Sequence, residues 1–222
     1  FNSISADNQW LGLGAAAGAV YANYIYLLGG LTPSCTDLTT LRYAKFDNSN
    51  NVVAVSGGVW IQSTSETDFG RRRGAGFGYN GYLYVVGGYD GTTGGGVLAD
   101  IEFAKINVSD GSVGAFTVST VNINQRWGLS LAVSNSYAYV VGGCVNGQSP
   151  SNCNRRTDSI QTFQIYNNDS GVVNNYTAGN TLGTDLIGGS STIYNGYIYY
   201  AGGCTNIGCT TLSSSTYYAS VD

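Results

Sequence analysis

The stretch Gly81-Tyr82-Leu83-Tyr84-Val85-Val86-Gly87-Gly88 recurs three more times in this chain of 222 residues, with its two tyrosines and its double glycine in place. The run is aromatic and aliphatic and ends in two glycines, which is typical of a strand that stops where the backbone turns tightly or admits a close neighbour. Both faces of the strand are apolar, so we expect it to be covered on both sides. The other copies are Tyr24-Ile25-Tyr26-Leu27-Leu28-Gly29-Gly30, Tyr137-Ala138-Tyr139-Val140-Val141-Gly142-Gly143 and Tyr197-Ile198-Tyr199-Tyr200-Ala201-Gly202-Gly203.

The diglycines at 29-30, 87-88, 142-143 and 202-203 define a repeat with intervals of 58, 55 and 60 residues. Asn80-Gly81 and Asn195-Gly196 come directly before the first tyrosine of two copies. Asn-Gly between two strand-like runs favours a type I′ hairpin turn, because both central residues need positive φ. A strand therefore precedes each tyrosine run, and a period of this size indicates a repeat architecture.

Two further strands follow each diglycine. The third contains an aromatic residue, which we place at Tyr43, Phe103, Phe163 and Tyr218. Turns at 109–112 and 169–171 then lead into a fourth strand at 115–118 and 175–177. Each period is thus predicted to form four antiparallel strands.

Four-stranded units with a hydrophobic-Gly-Gly signature resemble kelch repeats, and the likeness covers the whole chain, residues 1–222, as a single domain. The resemblance implies an all-β fold, a β-propeller of four four-stranded antiparallel blades, with the first strand of each blade lining a central channel. Kelch repeats usually carry a tryptophan at the entry to the fourth strand; here Trp60, Phe116 and Tyr176 take its place.

The two ends of the chain leave two ring arrangements open. Residues 1–5 resemble 116–120, a fourth strand, whereas 218–222 belong to a third strand. This permutation suits a closed four-bladed ring in which one terminus completes the last blade. We favour the other arrangement, four consecutive blades of a larger ring, because four is below the usual kelch count and an unpaired strand edge is a liability.

Composition and charge exclude some partners. The net charge is −4 and the pI is about 4.6, so there is no basic footprint for nucleic acid. No apolar run approaches the roughly 18 residues that span a bilayer. Charged residues make up only 10% of the chain, and Asn, Ser and Thr fill most polar positions. That composition is typical of secreted or surface-exposed β proteins.

Four of the five cysteines bracket two equivalent loops. Cys144 and Cys153 enclose the loop after the third diglycine, and Cys204 and Cys209 enclose the one after the fourth. We expect two local disulfides, which favour an oxidising, extracellular compartment. A four-thiolate zinc site is disfavoured because it needs short Cys-x-x-Cys knuckles. Cys35 is expected to have no partner within the chain.

The residue types in the chain exclude several catalytic arrangements. The chain has no histidine, so imidazole-based dyads, triads and metal sites are excluded. A glycosidase would need a pair of carboxylates, but the acidic residues are scattered over loop positions. We therefore expect no enzymatic activity, no cofactor and no metal. The acidic positions considered are Asp68, Asp90, Asp100, Glu102, Asp158 and Asp185.

An arginine cluster is the candidate binding site. Arg71 and Arg126 occupy the same slot, eleven residues before the first tyrosine of their blades. In ligand-binding kelch domains, arginines of this entry segment often lie at the mouth of the channel. The alternative is that each arginine packs its stem at a blade junction and leaves its charged head in solvent. The predicted ligand-binding residues are Arg71, Arg73, Arg126, Trp127, Arg155 and Arg156.

These features predict a non-catalytic extracellular or cell-surface binding module that presents a loop face to an acidic protein or polysaccharide. Two alternatives remain: a structural building block that pairs with further blades or copies of itself through an open edge, and a carbohydrate-active enzyme that uses scattered carboxylates.

Overall fold

A computed structural model describes residues 14–47, 49, 51–53, 59–91, 96–147, 153–166 and 170–221. The described residues form sixteen strands in four antiparallel sheets, arranged as a β-propeller, with a single short 3-10 turn at Ile207–Cys209. The blades are: blade 1, β1 (Ala17–Tyr21), β2 (Tyr24–Leu28), β3 (Thr40–Phe46), β4 (Val52–Val53) and β5 (Ile61–Glu66); blade 2, β6 (Ala75–Tyr79), β7 (Tyr82–Asp90), β8 (Gly96–Lys105) and β9 (Thr117–Val118); blade 3, β10 (Ser130–Ser134), β11 (Tyr137–Val141), β12 (Ser159–Ile165) and β13 (Val173–Thr181); blade 4, β14 (Ser190–Tyr194), β15 (Tyr197–Ala201) and β16 (Thr216–Ser220).

The first strands of the blades line the centre of the propeller. β1 lies beside β6, β6 beside β10, and β10 beside β14. Within each blade the strands pair in sequence order, except that β4 and β5 both pair with β3. The hairpins at Asn80-Gly81 and Asn195-Gly196 have positive φ at both turn residues, so the predicted type I′ turns are confirmed.

Each blade has a forward face, turned toward the next blade in sequence, and a rear face, turned toward the preceding one. On blade 1, Tyr24, Tyr26 and Tyr43 lie together on the forward face and form what we call an aromatic cradle. The turn between the third and fourth strands of blade 2 fills it: the Tyr26 hydroxyl donates to the Gly111 carbonyl oxygen at 3.1 Å. A side chain at Gly111 would overlap Tyr24.

The same contact is repeated one blade further on. Tyr82, Tyr84 and Phe103 form the cradle of blade 2, and the Tyr84 hydroxyl donates to the Gly171 carbonyl oxygen at 3.0 Å. Burial of these rings, at up to about 3 kcal/mol for a fully buried large side chain, therefore contributes to blade packing.

The diglycines make the second repeated contact between blades. The amide of Gly88 donates to the Arg126 carbonyl oxygen at 2.8 Å, and Gly143 donates likewise to Leu186. The first glycine of each pair leaves room for that carbonyl: a Cβ on Gly87 would lie 2.7 Å from the Arg126 oxygen. The first glycines also have positive φ. Glycine is therefore favoured for two reasons, the close carbonyl oxygen and the backbone conformation.

Two features differ from the sequence-based expectation. The strand of blade 2 does not stop at its diglycine, because β7 stays paired with β8 as far as Asp90. Phe163 is also not the structural equivalent of Phe103, although both are the aromatic residue of their third strand. Thr162, not Phe163, pairs with Tyr139, as Phe103 pairs with Tyr84. A shift of one residue reverses the face, so Phe163 lies on the rear face of blade 3 and packs near Phe77.

The predicted fourth strands exist in three blades, as β5, β9 and β13. Trp60 is buried just ahead of β5, Phe116 lies just ahead of β9, and Tyr176 lies within β13. In blade 4 the described residues form three strands. The segment 1–5, predicted to be a fourth strand, lies outside the described residues.

Of the part of the chain that the structure describes, nothing packs closely on the forward face of blade 4. Tyr197, Tyr199 and Tyr218 form a third aromatic cradle, but Tyr218 is 72% exposed, against 7% for Tyr43. A Cβ on Gly202 would meet nothing within 4 Å. The described residues therefore form an open series of four blades.

Candidate binding site at the channel mouth

The segments that precede the first strands and the loops that follow the diglycines together form one end of the propeller, the loop face. There the residue two positions after the first glycine of each pair bridges to the residue ahead of the first strand. The same residue also bridges outward, to the segment just ahead of the third strand in blades 1, 3 and 4 and to the third strand itself in blade 2. These positions are Gly14, Leu31 and Asp37 in blade 1; Arg72, Tyr89 and Val97 in blade 2; Trp127, Cys144 and Arg156 in blade 3; and Ile187, Cys204 and Leu212 in blade 4.

One residue further along, a chain of backbone hydrogen bonds runs around the channel mouth. The Arg73 amide donates to the Ala15 carbonyl oxygen at 2.7 Å, Gly128 donates to Arg73 at 2.8 Å, and Gly188 donates to Gly128 at 2.8 Å. All four residues have positive φ, between 56° and 74°. Alanine or glycine occupies three of these positions, and an arginine occupies the fourth.

Arg73 is therefore unusual for its backbone conformation. A positive φ costs a long L side chain about 1–2 kcal/mol, and no such cost falls on the glycines of blades 3 and 4. Its guanidinium lies over the Trp127 ring, with Cζ 5.1 Å from the ring centroid. Burial, with a contribution from the nearby Arg72 charge, lowers the pKa of Arg73. Among the residues that the structure describes, no carboxylate forms an ion pair with Arg73.

Arg72 is held differently from Arg73. Its Nη1 lies 3.0 and 3.2 Å from the two Asp37 carboxylate oxygens, and its guanidinium lies 4.6 Å from the centroid of the Tyr89 ring. The Gly91 amide donates to the same carboxylate at 2.6 Å. These groups line a polar cavity of about 430 Å³ between blades 1 and 2, which Cys35 also borders.

The loop after the third diglycine adds further positive charge to the loop face. The disulfide Cys144–Cys153 closes it, and the Trp127 indole donates to the Asn146 carbonyl oxygen at 3.2 Å. Arg155 is exposed, and Arg156 is partly exposed with its Nη1 3.3 Å from the Cys153 carbonyl oxygen. The second predicted disulfide, Cys204–Cys209, is also present, and Cys35 is free and exposed. The disulfide predictions are thus confirmed, and two such bridges are typical of an oxidising, extracellular-type environment.

The expectation that Arg71, Arg126 and Trp127 lie exposed at the rim is wrong. All three are buried, at 1% exposure each. The Arg71 Nη1 donates to the Gly87 carbonyl oxygen at 2.8 Å, and Arg126 makes the same bond to Gly142 at 3.0 Å. Both arginines therefore hold the diglycine segment of their own blade. The alternative was right that they pack inside the propeller, but wrong that their charged heads lie in solvent, because both guanidinium groups are buried.

The charge on Arg71 is neutralised inside blade 2. Its Nη2 pairs with Asp100 at 2.6 Å and also with Glu102. Because Glu102 is buried, and because Asp100 adds a second negative charge, the pKa of Glu102 rises to about 7 despite the nearby Arg71. Two of the scattered carboxylates thus meet beside Arg71, and both are buried.

No group of three or more Cys, Asp or Glu side chains is arranged to hold a metal ion within the described ranges. In the same residues, no helix is long and apolar enough to cross a membrane.

Sequence reasoning identified Arg73, Arg155 and Arg156 but missed Arg72, Asp37 and Tyr89. The signal was present for Arg72, since it is the middle residue of Arg71-Arg72-Arg73. Asp37 carries no local pattern; only the pairing of its loop with Leu31 brings it beside blade 2.

Comparison with known proteins supports the fold alone. No protein-family model matches the chain, and no curated protein matches it. Many solved structures match, among them the structure of YjhT, with a TM-score of 0.61 and 14% sequence identity. That match covers 93% of this chain and 67% of YjhT. At this identity the shared feature is the β-propeller fold, and the likeness to kelch repeats remains a resemblance.

Proposed function

We propose that this protein is a non-catalytic binding module of an extracellular or cell-surface setting, and that its loop face recognises an anionic group of an acidic polysaccharide or an acidic protein loop. The observation that carries the proposal is the conformation and environment of Arg73. Its backbone is strained and lies in the ring of hydrogen bonds at the channel mouth, and its guanidinium is fixed over an aromatic ring. No ion pair among the described residues includes it.

Each of these properties suits anion binding. Strained residues persist where a role in function maintains them. A guanidinium already ordered by stacking loses less side-chain entropy on binding, and it offers paired donors to a carboxylate or sulfate. Arg155 and Arg156 supply further positive charge on the same face.

The overall negative charge does not oppose this role at close range. The net charge is −4, but at physiological ionic strength charges beyond about 8 Å are largely screened. Arg73 and its neighbours would therefore set the local potential that the ligand meets.

A purely binding role fits the carboxylates better than glycoside hydrolysis does. Asp100 and Glu102 lie together, but both are buried and paired with Arg71. A glycosidase pair must reach the sugar from two sides, which an enclosed pair inside a blade does not do.

The test is calorimetric titration with polygalacturonate and dextran sulfate, with neutral dextran as the uncharged probe. We expect the two anionic polymers to bind and neutral dextran not to bind. Arg73→Gly should weaken binding about tenfold or more, the loss typical of a hydrogen bond to a charged group. Lys105→Ala removes the same charge from an exposed position at the opposite end of blade 2 and should change the affinity less than about twofold. Equal losses in the two variants, or no binding of either polymer, would contradict the proposal.

A further inference from the structure

We propose that blade 3 binds a chloride ion beside the buried Arg126 guanidinium, where the ion supplies the negative charge that Asp100 and Glu102 supply to Arg71 in blade 2. The site lies inside the propeller, on the side of blade 3 that faces blade 2. The proposal goes beyond the function of the loop face and does not depend on it.

Arg126 is a buried cation whose hydrogen bonds all go to neutral acceptors. Its Nε donates to the Asn124 carbonyl oxygen at 3.1 Å, and its Nη1 donates to the carbonyl oxygens of Gly142 and Ser159 at 3.0 and 3.3 Å. Its Nη2 donates to the Ser159 hydroxyl at 3.0 Å. No ion pair among the described residues includes Arg126. Burial lowers its pKa to about 10, so the guanidinium stays charged at neutral pH. A buried charge of this kind is costly unless an opposite charge lies beside it.

Blade 2 has carboxylates at the positions where blade 3 has neutral side chains. The second and third strands of the two blades pair in the same register, which places Gln161 at the position of Glu102. Two residues earlier on the same strands, Ser159 stands at the position of Asp100. Serine is also smaller than aspartate, as room for an ion requires. Arg126 therefore lacks the counter-charge that its equivalent in blade 2 has.

Gln161 presents a donor where Glu102 presents an acceptor. The two carboxylate oxygens of Glu102 accept from the Asp68 amide, at 2.7 Å, and from Arg71. Gln161 is fully buried, and its Oε1 accepts from the Asn124 amide at 3.1 Å. That bond fixes the orientation of the side-chain amide, because the reverse orientation would set one N–H donor against another. The Nε2 group therefore takes the place of the oxygen that accepts from Arg71, and no acceptor among the described residues meets it.

Two hydroxyl groups add further donors. The Tyr176 hydroxyl is buried and has no hydrogen-bond partner in the described part of the chain. Tyr176 lies two residues from Ala178, the cross-strand partner of Gln161, and so on the same face of the sheet. It is also close enough to Arg126 to interact with it electrostatically. The Ser159 hydroxyl accepts from Arg126 and from a second hydroxyl, which leaves its own proton to donate.

The buried charge decides which acceptor these donors need. A water molecule has two acceptor sites and no net charge, so it would leave the Arg126 charge uncompensated. Chloride accepts from several N–H and O–H donors at once and balances one positive charge. A small monovalent anion therefore fits both the donors and the charge of the site.

The experiment is urea unfolding of the 222-residue chain at pH 8, with chloride replacing gluconate in steps at constant ionic strength. Gluconate has the same charge but is too large for a site inside a blade. An ion that binds only the folded state raises the folded-to-unfolded ratio about tenfold for each tenfold rise in its concentration above Kd. We expect this increase with chloride, and also with bromide.

Two variants change the site itself. Gln161→Glu supplies the missing carboxylate, so the stability of this variant should not depend on chloride at pH 8. Tyr176→Phe removes only a hydroxyl, and it should raise the chloride concentration needed for half of the effect about threefold to tenfold. The matched control is Tyr194→Phe, which removes a tyrosine hydroxyl from a side chain that is 74% exposed and should respond to chloride like the wild type.

Three results would overturn the proposal. Equal stability in chloride and gluconate would mean that no ion binds specifically. Full chloride dependence in Gln161→Glu would place the ion elsewhere. Loss of the dependence in Arg73→Gly would place it on the loop face. Circular dichroism shows whether each variant is folded, and if Gln161→Glu does not fold, the comparison of Tyr176→Phe with Tyr194→Phe decides. Anomalous diffraction from crystals grown in bromide should show the ion within hydrogen-bond distance of Arg126, and bromide at the protein surface alone would contradict the site.

Discussion

The Gly88 amide donates a 2.8 Å hydrogen bond to the Arg126 carbonyl oxygen, and so joins the end of one blade to the start of the next. Arg126 in turn holds the Gly142 carbonyl oxygen of its own blade through its guanidinium. Backbone and side chain of one residue thus connect two successive diglycines.

Alanine in place of the first glycine of a pair should cost more stability where a carbonyl oxygen of the next blade packs against that glycine than where none does. Gly142→Ala adds a Cβ 2.6 Å from the Leu186 carbonyl oxygen, besides the strain of positive φ. Gly202→Ala meets only the conformational strain, about 1–2 kcal/mol. Urea unfolding at low protein concentration should therefore show a larger stability loss for Gly142→Ala. Equal losses would mean that the close approach contributes nothing.

The two buried arginines should differ in their effect on stability. Arg71→Ala leaves Asp100 and Glu102 buried without their cation, a change that typically costs about 3–5 kcal/mol. Arg126→Ala leaves only neutral acceptors such as Gly142 and Ser159 unpaired, so we expect a smaller loss. The exposed control Arg155→Ala should stay within about 0.5 kcal/mol of the wild type. Chemical unfolding at pH 8 ranks the three; a larger loss for Arg126→Ala would contradict the ion-pair explanation.

Local features were predictable from sequence, and contacts between distant segments were not. The Asn80-Gly81 turn and the disulfide Cys144–Cys153 depend on residues close together in the chain, and both were predicted correctly. Arg71 and Arg73 have the same side chain two positions apart, yet one is buried and the other faces the channel mouth. The positive φ of Arg73 and the carboxylates of blade 2 decide this difference, and neither is visible in the arginine run itself.

The face of a strand was equally hard to read without a partner. Phe163 was aligned with Phe103 because both are aromatic, but the pairing of Tyr139 with Thr162 puts Phe163 on the other face. With a side-chain period of two, an alignment error of one residue is enough to reverse the face.

The structure predicts which cysteines are linked and which one is free. Non-reducing peptide mapping should recover Cys144 linked to Cys153 and Cys204 linked to Cys209. Cys35 should react with iodoacetamide before any reduction, because it is free and exposed. A linkage between Cys35 and any of the other four would show that the pairing is wrong.

Arg73→Gly should be stabilising or neutral, although it removes a large side chain. Glycine adopts the φ of 56° without strain and matches Gly128 and Gly188 at the equivalent positions. The loss of the stacking contact with Trp127 offsets part of that gain, since such contacts contribute about 0.5–1 kcal/mol at exposed sites. Calorimetry should show an unchanged or higher thermal midpoint, with Arg73→Ala lower than Arg73→Gly. A clear drop for Arg73→Gly would indicate that the side chain holds the fold.

Stability should fall as the pH rises from about 4.5 to about 7, because of Glu102. Burial raises its folded-state pKa to about 7 from the ordinary value of 4.5, so the folded protein binds a proton that the unfolded chain releases in this range. The contribution is therefore fully present below about 4.5 and is lost as the pH passes through about 7. The lowered pKa values of Asp47 and Asp110 have the opposite effect, but only below their ordinary value of 3.8.

Blade 3 supplies the neutral counterpart, because Gln161 occupies the position of Glu102 beside Arg126. Glu102→Gln should flatten the decline between pH 5 and pH 8. Gln161→Glu should add a second acid at a fully buried position and steepen it. Thermal midpoints of the three proteins at pH 5 and pH 8 make the comparison. If Glu102→Gln declines as steeply as the wild type, another group carries the pH dependence and the pKa assignment to Glu102 is wrong.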